Sequence, residues 1–276
     1  MNRDPSREEA EAHHPAAEEL KRLMAIISRL RGPNGCPWDR AQTLKSLRPY
    51  LLEETYEVLE AIDSGDDTAH LEELGDLLLQ VVLQAEIARE SGRWSMAEVA
   101  RTISEKLLFR HPHVFGDVEA TDSKAAYRSW EKVKAKEREH AGKPRKSVLS
   151  GVPKAAPSLM RAERVGDKAA HTGFDWPNVR LVRQKLDEEL AELDAAMDSR
   201  DEEKIFIELG DVLLTLASLG RFVQVHAEDA LREAVERFIK RFQHLEASLA
   251  AENKTPRDLD LEALETRWQQ SKKEVD

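Results

Sequence analysis

Residues 53–86 and 188–221 align without a gap at an offset of 135, with 13 of 34 positions identical. An internal repeat of this kind constrains the fold more than any residue propensity, because each copy must be able to form the same supersecondary unit. The identities include Glu53/Glu188, Glu54/Glu189, Glu57/Glu192, Glu73/Glu208, Leu74/Leu209, Gly75/Gly210 and Asp76/Asp211. With 53 acids in 276 residues, five fixed acidic positions coincide at roughly 0.0003 per starting point, so two aligned copies mark a duplication. Flanking matches extend it: Gly35-Cys36-Pro37-Trp38 pairs with Gly173-Phe174-Asp175-Trp176, Lys106 and Arg110 with Arg237 and Arg241, and Trp130 and Lys134 with Trp268 and Lys272. The offset shifts between these matches, as it does when loops between conserved helices gain or lose residues.

The duplication divides the chain into a disordered tail (1–16), a first unit (17–140), a linker (141–157) and a second unit (158–276). The linker carries Gly142, Pro144, Gly151, Pro153 and Pro157, which interrupt helices. Within the units, Leu51, Val58 and Ile62, then Leu74, Leu77, Leu78 and Val81, and in the second copy Leu209, Val212, Leu213 and Leu216, recur at helical spacing. Turn formers between the paired segments, Asp63-Ser64-Gly65-Asp66-Asp67 and Asp198-Ser199-Arg200-Asp201, predict helical hairpins with N-caps. Charged residues make up 34% of the chain and only 15 residues are aromatic, which favours helices over a sheet. The fold class read from these features is all-α, as two tandem helical bundles. Pro112 is expected to end the helix that runs through Phe109 and Arg110.

Composition narrows the setting. The formal net charge of −11 and the lack of a long basic block argue against a nucleic-acid backbone as partner, while leaving room for a small phosphorylated substrate. The longest apolar run, near Leu77 to Leu83, is broken by Gln80 and is too short to cross a bilayer. A single cysteine, Cys36, forms no internal disulfide, and the cytoplasm fits best. Cys36 with His111 and His113 lacks further ligands at zinc spacing, and His13 and His14 read as solvated tail residues.

On a helix, Glu54 and Glu57 share a face, as do Glu73 and Asp76, and the second copy repeats this with Glu189/Glu192 and Glu208/Asp211. A hairpin can bring each pair of pairs together, and converging carboxylates repel one another unless a cation lies between them. An all-oxygen donor set suits Mg²⁺, with Mn²⁺ as the alternative. Glu53 and Glu188, about 100° round the helix from their neighbours, read as bases or supporting residues. Gly75 and Gly210, inside helices, read as sites either of close helix packing or of ligand access.

The motif EExxE followed after fifteen residues by ExxD, present at Glu53 to Asp76 and again at Glu188 to Asp211, resembles that of the MazG nucleoside triphosphate pyrophosphohydrolases. GCPWD from Gly35, RHPHVF from Arg110 and GFDW from Gly173 carry the resemblance along nearly the whole chain. It implies an all-α homodimer that uses Mg²⁺ to hydrolyse nucleoside triphosphates, with breadth in base, to the monophosphate and pyrophosphate. By that resemblance Glu189, Glu192, Glu208 and Asp211 hold the metal, with Glu54, Glu57, Glu73 and Asp76 as the matching set in the first copy, and Glu188 or Glu189 accepts the proton of the attacking water. Arg237, Arg241 and Lys272 match its basic residues and would bind polyphosphate, and Trp268 reads either as a wall of the nucleotide pocket or as core. The second copy is expected to be the active one. The first, whose basic residues are Lys106, Arg110, Lys132 and Lys134, is then a scaffold, a regulatory site or a weaker catalyst. Two other readings stand beside this: a non-catalytic acidic module that binds a partner, and a pyrophosphohydrolase restricted to dUTP or modified nucleotides. There is no GxxxxGK[ST] loop, which disfavours a P-loop ATPase.

Overall fold

A computed structural model describes residues 15–116, 133 and 147–275. The first fourteen residues, Trp130, Lys132, Lys134, Gly142 and Pro144, all used in the sequence reading, lie outside them. Among the described residues every regular element is helical, and no helix is long and apolar enough to cross a membrane. The chain forms two compact units, the first ending at Lys143 and the second beginning at Pro144.

The first unit contains α1 (Pro15–Arg31), α2 (Pro37–Ala41), α3 (Arg48–Ser64), α4 (Asp67–Glu90), α5 (Met96–Arg110) and α6 (Pro112–Phe115). Helix α1 already includes Pro15 and Ala16, which the sequence reading gave to the tail. Proline fits a first helical turn, where its missing N–H would have had no partner. The α3/α4 hairpin turns on Gly65 (φ 69°), and Asp66 caps α4 by accepting from the amides of Thr68 (2.8 Å) and Ala69 (3.2 Å). Helix α5 opens with a capping box between Ser95 and Glu98, and Pro112 starts α6 directly beyond its C-cap, His111. Helix α1 lies on α4, and Ile27, Leu47, Val82, Leu83 and Ile87 bury between them, flanked by Leu20, Leu23 and Leu79. Each such side chain contributes about 1.5–3 kcal/mol by leaving water. The buried Arg31 ties the two helices at their ends through paired bonds of 2.8 and 2.7 Å to Glu90.

The second unit contains α7 (Ser158–Ala170), α8 (Val179–Ser199), α9 (Glu202–Val223), α10 (Ala227–Ala251), a 3₁₀ turn (Pro256–Asp258) and α11 (Leu261–Val275). Asn178 and Asp201 cap α8 and α9, each accepting a backbone N–H at 3.2 Å. Helix α7 lies on α9 as α1 does on α4, and α10 packs on α11 and also meets α7 and α9. The tie between α7 and α9 has the opposite polarity. Arg221 of α9, 10% exposed, bonds Asp167 of α7 and Asp175 of the GFDW segment at 2.9 Å each. A Cβ on Gly166 would come within 3.1 Å of the Arg221 guanidinium, so glycine there lets the arginine lie across α7.

The two hairpin turns differ at one position. Arg200 holds the left-handed conformation (φ 52°) that Gly65 holds in the first copy. An L-residue there costs roughly 1–2 kcal/mol. Arg200→Gly is therefore expected to raise stability by about 1 kcal/mol, read as a higher denaturant midpoint with an unchanged slope.

Candidate active site

Each hairpin sets its acids at the contact between two helices. Glu54 and Glu57 project from α3 and Glu73 from α4, and one carboxylate oxygen of each lies within 4.8 Å of the others. Glu189 and Glu192 of α8 and Glu208 of α9 form the same group in the second unit. Asp76 and Asp211 stand one turn beyond Glu73 and Glu208 and are not members of these close groups. Glu189 is buried, Glu54, Glu73 and Glu208 are half-buried, and Glu57 and Glu192 are exposed.

The crowding leaves an electrostatic signature. Reduced hydration raises the Glu54 carboxyl above its ordinary 4.5, the charges of Asp76 and Glu57 add to this, and a hydrogen bond from Gln80 opposes it. Glu73 is raised by lost hydration and then by Glu57 and Asp76. Glu192 is raised by lost hydration and by Glu189 and Glu208, against the pull of Lys185. An acid raised in the folded state contributes stability that is fully present below its unfolded value and is lost as pH rises through the folded one. Glu86, lowered chiefly by its bond to Arg89, acts oppositely and loses its contribution as pH falls through its folded value. Metal-free protein is therefore expected to melt higher near about pH 5 than at pH 7. Adding Mg²⁺ should recover the difference at pH 7, as thermal melts with and without a chelator would register.

Lys185 is the site residue that the sequence reading missed. Its Nζ lies 2.6 Å from Glu188 and 3.0 Å from Glu189, and the two carboxylates raise its pKa. A lysine three and four residues ahead of two glutamates was the available signal. Glu188 is held by this ammonium and lies outside the three-acid group, with its side chain 58% exposed.

Outside their own helices, Gly75 and Gly210 have no atom within 4 Å of where a Cβ would stand, so packing within the chain does not explain them. The ligand-access reading is compatible with that open space.

The basic residues and the tryptophan gather on α10 and α11. Trp268 is half-buried, with its ring centroid 5.1 Å from that of Phe238, and Lys272 Nζ stands 5.8 Å from the Trp268 ring centroid. Arg237 is exposed and reaches Glu233 at 3.4 Å, and Arg241 lies one turn further along α10. Trp268 is thus a wall of an aromatic and cationic patch. In the first unit Lys106 and Arg110 stand on α5.

The family model for the MazG nucleotide pyrophosphohydrolase domain matches residues 42–115 and again 178–246, spanning both hairpins. The chain belongs to the MazG family. It is 42% identical over 253 residues to the nucleoside triphosphate pyrophosphohydrolase/pyrophosphatase MazG of Thermotoga maritima, covering 92% of this chain and 95% of that one. It is 42% identical over 259 residues to the nucleoside triphosphate pyrophosphohydrolase of Escherichia coli K12, covering 93% and 98%. A Mycobacterium tuberculosis relative of the same name is 33% identical over 235 residues, covering 84% of this chain and 60% of that one. As a MazG-family chain it carries the acidic hairpin in both of its matched segments.

Proposed function

We propose that this chain hydrolyses nucleoside triphosphates to the monophosphate and pyrophosphate, with a divalent cation, at the second unit, and with little regard to the base. The observation that carries this reading is the three-carboxylate group of Glu189, Glu192 and Glu208, drawn from two helices to within 4.8 Å and flanked by Lys185. Hard carboxylate oxygens suit Mg²⁺ or Mn²⁺, and these three with Asp211 would hold it. Once bound, the ion supplies neutralisation of the polyphosphate charge and activation of water toward the α-phosphorus.

The chain's own groups complete the reaction. Glu188, held by Lys185, takes the proton from the attacking water as the bond from the α-phosphorus to the bridging oxygen breaks and pyrophosphate leaves. Arg237, Arg241 and Lys272 bind the leaving polyphosphate, and Trp268 stacks beside them against the base face, which every nucleobase offers. Such a contact discriminates little between bases.

The protein acts as a homodimer in this reading. Phe206, Leu209, Leu213 and Leu216 on α9 are 81%, 47%, 44% and 41% exposed in the single chain. Apolar surface of that extent on one helix suits a second copy.

Incubation with each NTP and dNTP, with and without Mg²⁺, followed by ion-exchange separation of products, tests the proposal. Monophosphate and pyrophosphate from all bases, made by a species of twice the 31.3 kDa protomer mass, is the expected outcome. Diphosphate with phosphate, or turnover independent of divalent ions, would reject it.

A further inference from the structure

The two acidic hairpins differ in what stands opposite their carboxylates. In the second unit Lys185 closes on Glu188 and Glu189, so the acids carry their own cation. The 135-residue offset puts Tyr50 at that position in the first unit. Tyr50 packs against the core around Ile27 and Leu47 and meets the edge of Trp38 at 5.9 Å between ring centroids. Among the described residues no cation pairs with Glu54, Glu57 or Glu73.

A second difference lies beneath the cluster. Gln80 of α4 is 5% exposed, its Nε2 donates to Glu54 at 3.4 Å, and its Oε1 is shielded from solvent with no hydrogen-bond partner. A buried amide oxygen without a donor is rare in folded proteins, and an ordered water or an ion is the usual way such a group is completed. At the matching place in the second unit stands Thr215. Among the described residues the first cluster therefore has three crowded carboxylates, no paired ammonium and a neighbouring buried amide oxygen without a donor, whereas an ion entering the second must first displace Lys185.

We propose that the first unit is the tighter of two divalent-cation sites and fills without nucleotide, with Gln80 as the positioning residue for Glu54. This rests on the reading that both clusters hold metal. It gives the first copy a reason to retain its acids that does not depend on catalysis, since a resident ion locks α3 to α4.

Mn²⁺ titrated into the metal-free 276-residue chain without nucleotide, with the free ion followed by electron paramagnetic resonance, tests it. Two classes of site are expected per chain. Glu73→Gln removes the tight class, Glu208→Gln the weak one. Lys185→Met tightens the weak class by about tenfold, the effect of removing a competing ammonium a few ångströms away. Gln80→Leu, close in volume to the native residue, weakens the tight class by about tenfold. Circular dichroism of each variant without metal verifies that it is folded. Loss of the tight class in Glu208→Gln, or no tightening in Lys185→Met, overturns the proposal while leaving metal binding by the acids intact. Mn²⁺ binding that is absent, or that survives both Glu73→Gln and Glu208→Gln, overturns the metal reading together with the proposal. Two well-behaved classes in a protein that releases no pyrophosphate would sustain this assignment and reject the activity.

Discussion

Glu208→Gln is expected to lower NTP turnover by about 10³-fold, because one of the three close carboxylates proposed to hold the metal loses its charge, a loss of several kcal/mol in the transition state. The fold should persist. Glu208 shares its group with Glu189 and Glu192, and neutralising one of three crowded acids relieves repulsion in the metal-free state. Its melting temperature without metal is therefore expected to match or exceed that of the parent, while the rise produced by Mg²⁺ at the second unit disappears. Glu73→Gln, the matching change in the first unit, should leave turnover within about threefold if catalysis belongs to the second copy. Equal losses from the two changes would show that both copies turn over substrate. Steady-state rates and thermal melts on the same preparations separate these outcomes.

Arg221→Ala is expected to destabilise the second unit strongly. The guanidinium is 10% exposed and bridges Asp167 and Asp175, whose side chains are 36% and 27% exposed. Removing it leaves two partly buried carboxylates close together without their cation. Breaking a fully buried pair costs about 3–5 kcal/mol, and the residual hydration of the two aspartates brings the expected figure to about 2–3 kcal/mol. The melting temperature of the second unit should fall by roughly 10 °C. Arg221→Lys should recover only part of this, since one ammonium cannot reproduce the two-sided geometry of a guanidinium. Chemical denaturation followed by the fluorescence of Trp176 and Trp268, both in the second unit, measures it.

Much of this was legible in the sequence because the duplication supplies an internal control. Glu54 and Glu189, or Glu73 and Glu208, stand out only when the copies are laid together, and the turns at Gly65-Asp66 and Asp201 follow from short-range chemistry that a sequence states directly. What the sequence did not disclose depends on neighbours distant in the chain. Gln80 reads as a polar interruption of an apolar run, and only the fold places it beneath Glu54, 26 residues away. Lys185 reads as an ordinary helix-surface cation until Glu188 and Glu189 turn toward it. The apolar periodicity of Leu209, Leu213 and Leu216 marks a buried stripe on the usual reading, yet these side chains are 47%, 44% and 41% exposed while Val212 beside them is buried. A helical repeat of leucines records that a face avoids water, not which surface covers it. Gly75 and Gly210 likewise left two explanations open, and the open space beside them removes packing within the chain.

The opposed polarity of the two inter-helix ties bears on how a duplicated chain avoids mispairing its own halves. In the first unit the entering helix carries the arginine, Arg31, and the hairpin carries the acid, Glu90; in the second the entering helix carries the acid, Asp167, and the hairpin carries the arginine, Arg221. In an exchange of partners Asp167 would meet Glu86, which stands at the place of Arg221, and Arg31 would find Val225 at the place of Glu90, so neither tie would form. Tandem copies of one fold are prone to such exchange because their apolar faces are interchangeable. A tie of reversed sign in the second copy thus sets a charge penalty against exchange of the two entering helices.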